Sequence, residues 1–252
     1  MNRHLYILTG SSRGMGLAMA RQLTVSGNTL VCIARHPDAS LPVLAASAGA
    51  TLMSWTLDLA DGAAAAGQLG DWLAAQPSHA FSTAALINNA GVIPQIRPLA
   101  ETEASDLTNA LRVGLEAPML LTSAFLRATA HWPGNRKVLN VSSGLGRRAM
   151  ASQTVYCAAK AGLDHFTRCL ALEEALKPRG ARVCSLAPGV IDTDMQAHLR
   201  SADASAFPDQ ANFLHLKTQG LLTSPDDAAT RVLNWLRRDD FGAQAVADVR
   251  DA

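Results

Sequence analysis

Short apolar runs alternating with longer amphipathic segments constrain the fold of this chain more than any other feature. LYILT (5–9), TLVCIA (29–34), TLMSWTL (51–57), AALIN (84–88), KVLNVSS (137–143), ARVCSLA (181–187) and AVADV (245–249) are largely apolar. Runs of this kind, followed by turn residues, fit strands buried on both faces, as in a parallel sheet. Between them the spacing predicts helices over 14–26, 61–75, 103–130, 153–177 and 225–237. The last has Ser224 placed to cap it, Pro225 at its first position, acids in its first turn and arginines at its end, in the sense of the helix dipole. Strand–helix alternation predicts α/β architecture: one doubly wound domain over 1–252, a seven-stranded parallel sheet with helices on both faces. No repeat or low-complexity linker divides it.

Composition removes several function classes. The net charge is +1 and the 22 lysines and arginines are dispersed, so no nucleic-acid footprint is visible. No apolar stretch approaches the roughly 18 residues of a membrane helix, and MNRHLYILTG is too poor in apolar residues for a secretory leader. Cys32, Cys157, Cys169 and Cys184 form no C-x-x-C pair and read as buried hydrophobes or free thiols in a reducing compartment. A cytoplasmic location is expected. The seven histidines show no ligand-spaced pair, so no metal is expected. The segment 192–224 breaks the rhythm with Met195, Leu199, Phe207, Phe213, Leu214 and Leu216 among polar residues. Connections this long are usually binding loops or lids, often with short helices of their own; the alternative is a surface helical excursion.

The first strand runs into its helix through TGSSRGMG, with Gly10, Gly14 and Gly16. A pyrophosphate must approach backbone amides at a helix N-terminus, and side chains there would block it. The spacing G-x-x-x-G-x-G is not the G-x-G-x-x-G fingerprint, but its place at the first strand–helix junction gives it weight. The second strand ends VCIARHP. An NAD site usually places an acid there for the ribose hydroxyl; here Ala34 is followed by Arg35 and His36. Arg35, with Arg13 from the glycine turn, suits a 2′-phosphate and so NADPH.

TVYCAAKAG contains one of only two tyrosines in the chain, Tyr156, with Lys160 one helical turn later. Hydride transfer to a carbonyl carbon leaves an oxygen that needs a proton. A phenol can supply it, and a nearby ammonium favours phenolate. Ser143, at the end of the preceding strand, is a second donor for the substrate oxygen. Alone, a Tyr–Lys pair at this spacing also fits a helix surface with a snorkelling lysine.

TGSSRGMG, NNAG (88–91), Ser143, YCAAK and PGVIDT (188–193) occur in order, each after a strand or on the helix that follows. Together they resemble the short-chain dehydrogenase/reductase family over essentially the whole chain. Within it, EAPMLLTSAFL (116–126), YCAAKAGLDHFTRCLALEE (156–174) and PGVIDTDMQAHLRS (188–201) are most similar to sepiapterin-reductase-like enzymes, in particular benzil reductases that form (S)-benzoin. The resemblance implies that Gly10, Ser12, Arg13, Met15 and Gly16 line the pyrophosphate, and Arg35 the 2′-phosphate. Asp58 and Leu59 would flank the adenine, and Asn89, Ala90 and Gly91 the adenosine side. Pro188, Gly189, Val190 and Thr193 would hold the nicotinamide end. Tyr156 would be the acid/base, Ser143 the oxygen donor, and Lys160 would also bind the nicotinamide ribose. It further implies NADPH-dependent reduction of a dicarbonyl or aromatic ketone in an apolar pocket, for which Met150, Val155, Met195 and Phe213 are candidates, and a homodimer or homotetramer built on the long helices.

One position departs from the family pattern. Where members carry an asparagine that positions a water behind the lysine, this chain has Gly114, in ALRVGLEAPML. A slower relay, a different proton route, or a chain that binds cofactor without efficient catalysis all fit a glycine there. A 3-oxoacyl-thioester reductase and a non-catalytic NADPH-binding protein are the alternative functions; the first would need a clustered basic surface for an acidic carrier, which is absent from the sequence.

Overall fold

Seven parallel strands in the order β3-β2-β1-β4-β5-β6-β7 form the centre of the computed structural model, which describes residues 3–251. The strands are β1 (His4–Thr9), β2 (Asn28–Ala34), β3 (Thr51–Thr56), β4 (Thr83–Asn88), β5 (Asn135–Val141), β6 (Arg182–Ala187) and β7 (Val246–Asp248). The helices are α1 (Gly14–Leu23), α2 (Ser40–Ala48), α3 (Gly62–Ala74), α4 (Ala104–Leu111), α5 (Ala117–Ala128), α6 (Thr154–Ala175), α7 (Asp194–Arg200), α8 (Gln210–Thr218) and α9 (Pro225–Arg237). Each predicted strand is present. Among the described residues no helix is long and apolar enough to cross a membrane.

The sheet divides its side chains by the two-residue period of a strand. Tyr6 and Leu8 join Leu30, Cys32, Ile87, Leu139 and Leu186 under α1 and α9. Leu5 and Ile7 point the other way, with Val31, Ile33, Leu86 and Val138, under α3, α5 and the inner side of α6. Burying a large apolar side chain in either layer contributes about 1.5–3 kcal/mol. Phe166, Leu170 and Ala171, which fitted either an oligomer seam or the sheet-facing side, belong to the second layer.

Three elements differ from the sequence reading. Helix α2 was not anticipated: it is short, carries Pro42 in its first turn and buries only Leu41 and Ala45. Helix α1 stops at Leu23 rather than 26, where the Thr24 hydroxyl turns back to the Ala20 carbonyl at 2.7 Å. The helix expected over 103–130 is two helices, α4 and α5, joined by a π-helical turn at Arg112–Glu116 that contains Gly114. A π turn inserts one residue into the helix, and such insertions concentrate at functional sites. The segment 192–224 carries α7 and α8.

At the start of α9, Ser224 caps as its sequence position predicted: its hydroxyl accepts from the Asp227 amide at 3.1 Å. Ser224→Ala is therefore expected to lower stability by about 1 kcal/mol in a urea titration, leaving that amide without its acceptor. An unchanged midpoint would show that water replaces the cap without cost.

Candidate active site

The strand order reverses between β1 and β4, and the crevice beyond their C-terminal ends is where open α/β sheets bind ligands. The glycine turn follows β1 and the NNAG segment follows β4, so both reach this crevice. Thr9, the last residue of β1, ties them together: its hydroxyl accepts from the amides of Asn89 and Ala90, each at 3.0 Å. The Asn89 side-chain amide donates to the carbonyls of Thr9 and Gly10 at 3.0 and 3.2 Å. Gly10 has φ +70°, and a Cβ on Gly16 would lie 1.9 Å from the Gly10 carbonyl oxygen. The turn is thus closed over α1 as tightly as backbone allows. The N-terminus of α1 has neither a side-chain cap nor an acid in its first turn. Uncapped amides beside a turn with glycine at positions 10, 14 and 16 fit the pyrophosphate of a dinucleotide.

Other proposed cofactor contacts divide into those the fold assembles and those it leaves apart. Gly14 meets Thr193, whose methyl would be 3.3 Å from a Cβ there, which brings the first turn to the segment after β6. In that segment Gly189 has φ +85°, and the Val190 carbonyl accepts from the Thr223 amide at 2.9 Å. A Cβ on Gly91 would lie 3.7 Å from the Lys160 ammonium nitrogen. Met15 and Leu59 are buried, Met15 in the core layer under α1 and α9 and Leu59 in that under α3 and α5, so their backbones alone remain for a ligand. Asp58 Oδ1 accepts from the Ala60 amide at 2.9 Å within its own turn. Arg35 stands exposed at the end of β2. Arg13, expected beside it, instead forms an ion pair with Asp194 at the start of α7, 3.0 Å apart with both side chains about three-quarters exposed. An exposed pair of this kind is worth about 0–1 kcal/mol, little enough for a phosphate to displace.

Helix α6 carries Tyr156 and Lys160 into the crevice from beside β5. Both are buried, 8% and 5% exposed. The ammonium of Lys160 donates to the Val141 carbonyl at the end of β5, 2.8 Å away, and lies 5.8 Å from the Tyr156 ring centroid. Ser143, two residues beyond β5, accepts from the Leu145 amide at 3.2 Å and its hydroxyl adjoins the phenol. Burial dominates both ionisations, because a low-polarity surrounding disfavours charge. It raises the Tyr156 pKa, partly offset by the Ser143 hydroxyl. It lowers the Lys160 pKa to about 8, with Asp164 pulling the other way. The sequence reading has the ammonium drawing the phenol down. In this geometry the net direction is upward, since desolvation outweighs the rest and the lysine head is bonded to Val141.

Gly114, in the π turn, packs against α6: a Cβ there would meet the Ala159 Cβ at 3.3 Å, one residue before Lys160. Behind the site a buried chain of polar groups joins β4, β5 and α6: the Asn88 amide donates to Asn140 at 2.8 Å, and the Asn140 amide to Thr167 at 2.9 Å. Neither this chain nor Thr9 was singled out from the sequence; the polar residues at strand ends (Thr9, Asn88) were the available signal.

Of the four substrate candidates, Met150 and Phe213 share one apolar cluster with Ile96, Leu199 and Phe207, where Phe207 stacks on Phe213 at 5.5 Å. Leu145 and Cys157, neighbours of Ser143 and Tyr156, pack against this cluster. Val155 is buried outside it, and Met195 is only partly buried.

A doubly wound sheet with a glycine turn at its switch point and a Ser–Tyr–Lys grouping beside it fits a class of nicotinamide-dependent oxidoreductase. The chain belongs to the short-chain dehydrogenase family, whose model matches residues 4–204. It is 34% identical over 235 residues to a benzil reductase ((S)-benzoin forming) of Bacillus cereus, covering 93% of this chain and 94% of that protein. It is 32% identical to the sepiapterin reductase of Meriones unguiculatus, covering 97% and 95% respectively. A solved structure from Agrobacterium tumefaciens with bound NADP superimposes with a TM-score of 0.79 at 27% identity, over 99% of this chain and 95% of that one.

Proposed function

We propose that this protein is an NADPH-dependent carbonyl reductase that acts on a ketone or dicarbonyl of benzil-like or pterin-like aromatic character, with Tyr156 as proton donor. The observation that carries the reading is the buried phenol of Tyr156, set beside the Ser143 hydroxyl and one turn before Lys160. The glycine turn, Asn89–Gly91 and Pro188–Thr193 would hold NADPH, which would supply the hydride. The Ser143 hydroxyl holds the substrate oxygen next to the phenol, and Tyr156 delivers the proton to it. Burial keeps the phenol protonated at neutral pH, which suits a donor in the reductive direction. Lys160 remains charged below about pH 8 and steadies the phenolate once the proton has left.

The benzil and sepiapterin reductases among the relatives support an aromatic carbonyl substrate. The apolar cluster of Met150, Leu199, Phe207 and Phe213 supports reading 192–224 as a lid over it. Exposed Leu172 on α6, Leu176 just past its end and Met119 on α5 favour a homodimer or homotetramer through these helices, and the free cysteines suit a cytoplasmic protein. Steady-state loss of NADPH absorbance with benzil tests the reading. Turnover supports it, and tight NADPH binding without turnover on any dicarbonyl would replace it with the non-catalytic binding role.

Cofactor choice is separately testable. Arg35 stands where an acid would accept from a ribose hydroxyl, and the NADP-bound neighbour supports a phosphate there. Arg35→Asp is expected to reduce kcat/KM for NADPH by about 10–100-fold relative to NADH, since a charge-assisted hydrogen bond is replaced by repulsion. An unchanged NADPH/NADH ratio would remove Arg35 from the phosphate site.

A further inference from the structure

The segment 192–224 carries two polar groups on its inward side that nothing in the fold satisfies. Helix α7 turns one face to the protein: Gln196 and Leu199 are 8% and 4% exposed, and the Arg200 side chain is 17% exposed. Residues three and four apart share a helix face, so these three are neighbours. Leu199 belongs to the apolar cluster of Met150, Phe207 and Phe213, against which Cys157, next to Tyr156, also packs. Among the described residues, Oε1 of Gln196 and Nη1 of Arg200 are both enclosed and have no hydrogen-bond partner.

Charge is unbalanced at the same place. Among the described residues, the one carboxylate close to the Arg200 guanidinium is that of Asp192, 3.7 Å from Nη2 and beyond hydrogen-bond distance. Asp192 is already bonded to Lys217 of α8 at 2.6 Å, so two cations share one carboxylate. The other acids of the segment are engaged elsewhere: Asp194 with Arg13, Asp203 with Ser205 and Asp209 with Asn212. A guanidinium presents five N–H donors in a fixed fork, and enclosing one of them unbonded is costly. An acceptor that is itself anionic answers both deficits, the missing bond and the missing charge. Gln196 can join it, because a half-turn of the amide puts Nε2 where Oε1 stands.

We infer that Gln196 and Arg200 are specificity-determining residues that receive a carboxylate of the substrate, which makes the preferred substrate an aryl 2-oxo acid. The inference rests on the reading of Tyr156 and Ser143 as the groups that meet the reacting carbonyl. The aryl ring lies in the cluster of Met150, Leu199, Phe207 and Phe213, the keto group faces Tyr156, and the carboxylate meets α7 beside Leu199. A neutral diketone fills the cluster equally well but leaves the guanidinium without an anion.

The test compares benzoylformate with its methyl ester, which keeps the ring and both carbonyls and removes the charge. Steady-state kcat/KM with NADPH is measured for both in the wild type, Arg200→Met and Asp192→Asn. Calorimetry with NADP+ present, where no turnover occurs, gives the dissociation constants of the same two compounds. The wild type is expected to favour the acid by about 10-fold or more in both readouts, as a charge-assisted contact requires. Arg200→Met lowers the acid-to-ester ratio about 10–100-fold, since that contact is lost. Asp192→Asn removes the competing carboxylate and raises the ratio about 2–5-fold, which keeps the inference testable if Arg200→Met folds poorly. A purely structural role for Arg200 would lower acid and ester together. Equal values for acid and ester in the wild type, or a ratio that the substitutions leave unmoved, overturns the inference. If neither compound nor benzil is reduced, the proposed function fails, and the calorimetric ratio alone then decides whether α7 receives a carboxylate.

Discussion

Tyr156→Phe is expected to lower NADPH-dependent benzil reduction by about 10²-fold or more while leaving NADPH binding nearly intact. General acid catalysis by a positioned side chain typically contributes about 10²–10⁴-fold. Phenylalanine keeps the buried ring and removes only the hydroxyl, so the packing of α6 is preserved and the loss reports the proton. Folding should change little, because the hydroxyl's assigned partner is the partly exposed Ser143 rather than a deeply buried group. Fluorescence titration with NADPH and steady-state rates on the same preparation separate the two effects. A variant as fast as the wild type would remove Tyr156 from the chemistry, and loss of NADPH binding would make its role structural.

Gly16→Ala has the second large expected effect, and it acts on the glycine turn proposed to hold the cofactor. The added Cβ would lie 1.9 Å from the Gly10 carbonyl oxygen and 2.6 Å from the Asn89 amide nitrogen. Neither can retreat cheaply: the first is backbone in a left-handed turn, and the second holds the carbonyls of Thr9 and Gly10. The turn must open, at a cost of about 1–3 kcal/mol typical of overpacking, and the amides at the start of α1 lose their alignment. NADPH binding should then be abolished at concentrations that saturate the wild type. Gly67→Ala is the matching control. Gly67 is exposed within α3, and nothing lies within 4 Å of a Cβ there. That change should stabilise by about 1 kcal/mol through helix propensity and leave binding unaltered. Equal urea midpoints and NADPH affinities for Gly16→Ala and the wild type would rule out the steric account of the turn.

The strands, the long helix bearing Tyr156 and Lys160, the glycine turn and the Ser224 cap were readable because each depends on residues near one another in the chain. Apolar runs declare themselves over five to seven positions, and a phenol four residues from an ammonium shares a helix face whatever surrounds it. Helix α2 escaped because nine residues with two buried positions carry almost no periodic signal. The π turn at Arg112–Glu116 escaped because its residues read as ordinary helix, and the inserted residue is seen only against α6. Asp164 is the opposite case. Its spacing from Lys160 was visible in KAGLD, but a carboxylate on a helix usually faces water, and only the packing of β6, β7 and the Ser143 loop around it shows that it does not.

The order of apolar and polar residues determined by itself that this chain forms a doubly wound α/β domain with a glycine turn after its first strand and a phenol one helical turn from an ammonium, since those features are periodic or contiguous. Tertiary structure alone decided that Arg13 pairs with Asp194, 181 positions away. It also decided that Lys160 donates to Val141, and that burial rather than the neighbouring ammonium governs the phenol. The physical reason is common to all three. Desolvation and long-range pairing depend on which strands lie side by side and which helix closes over them, and those quantities have no local period in the sequence.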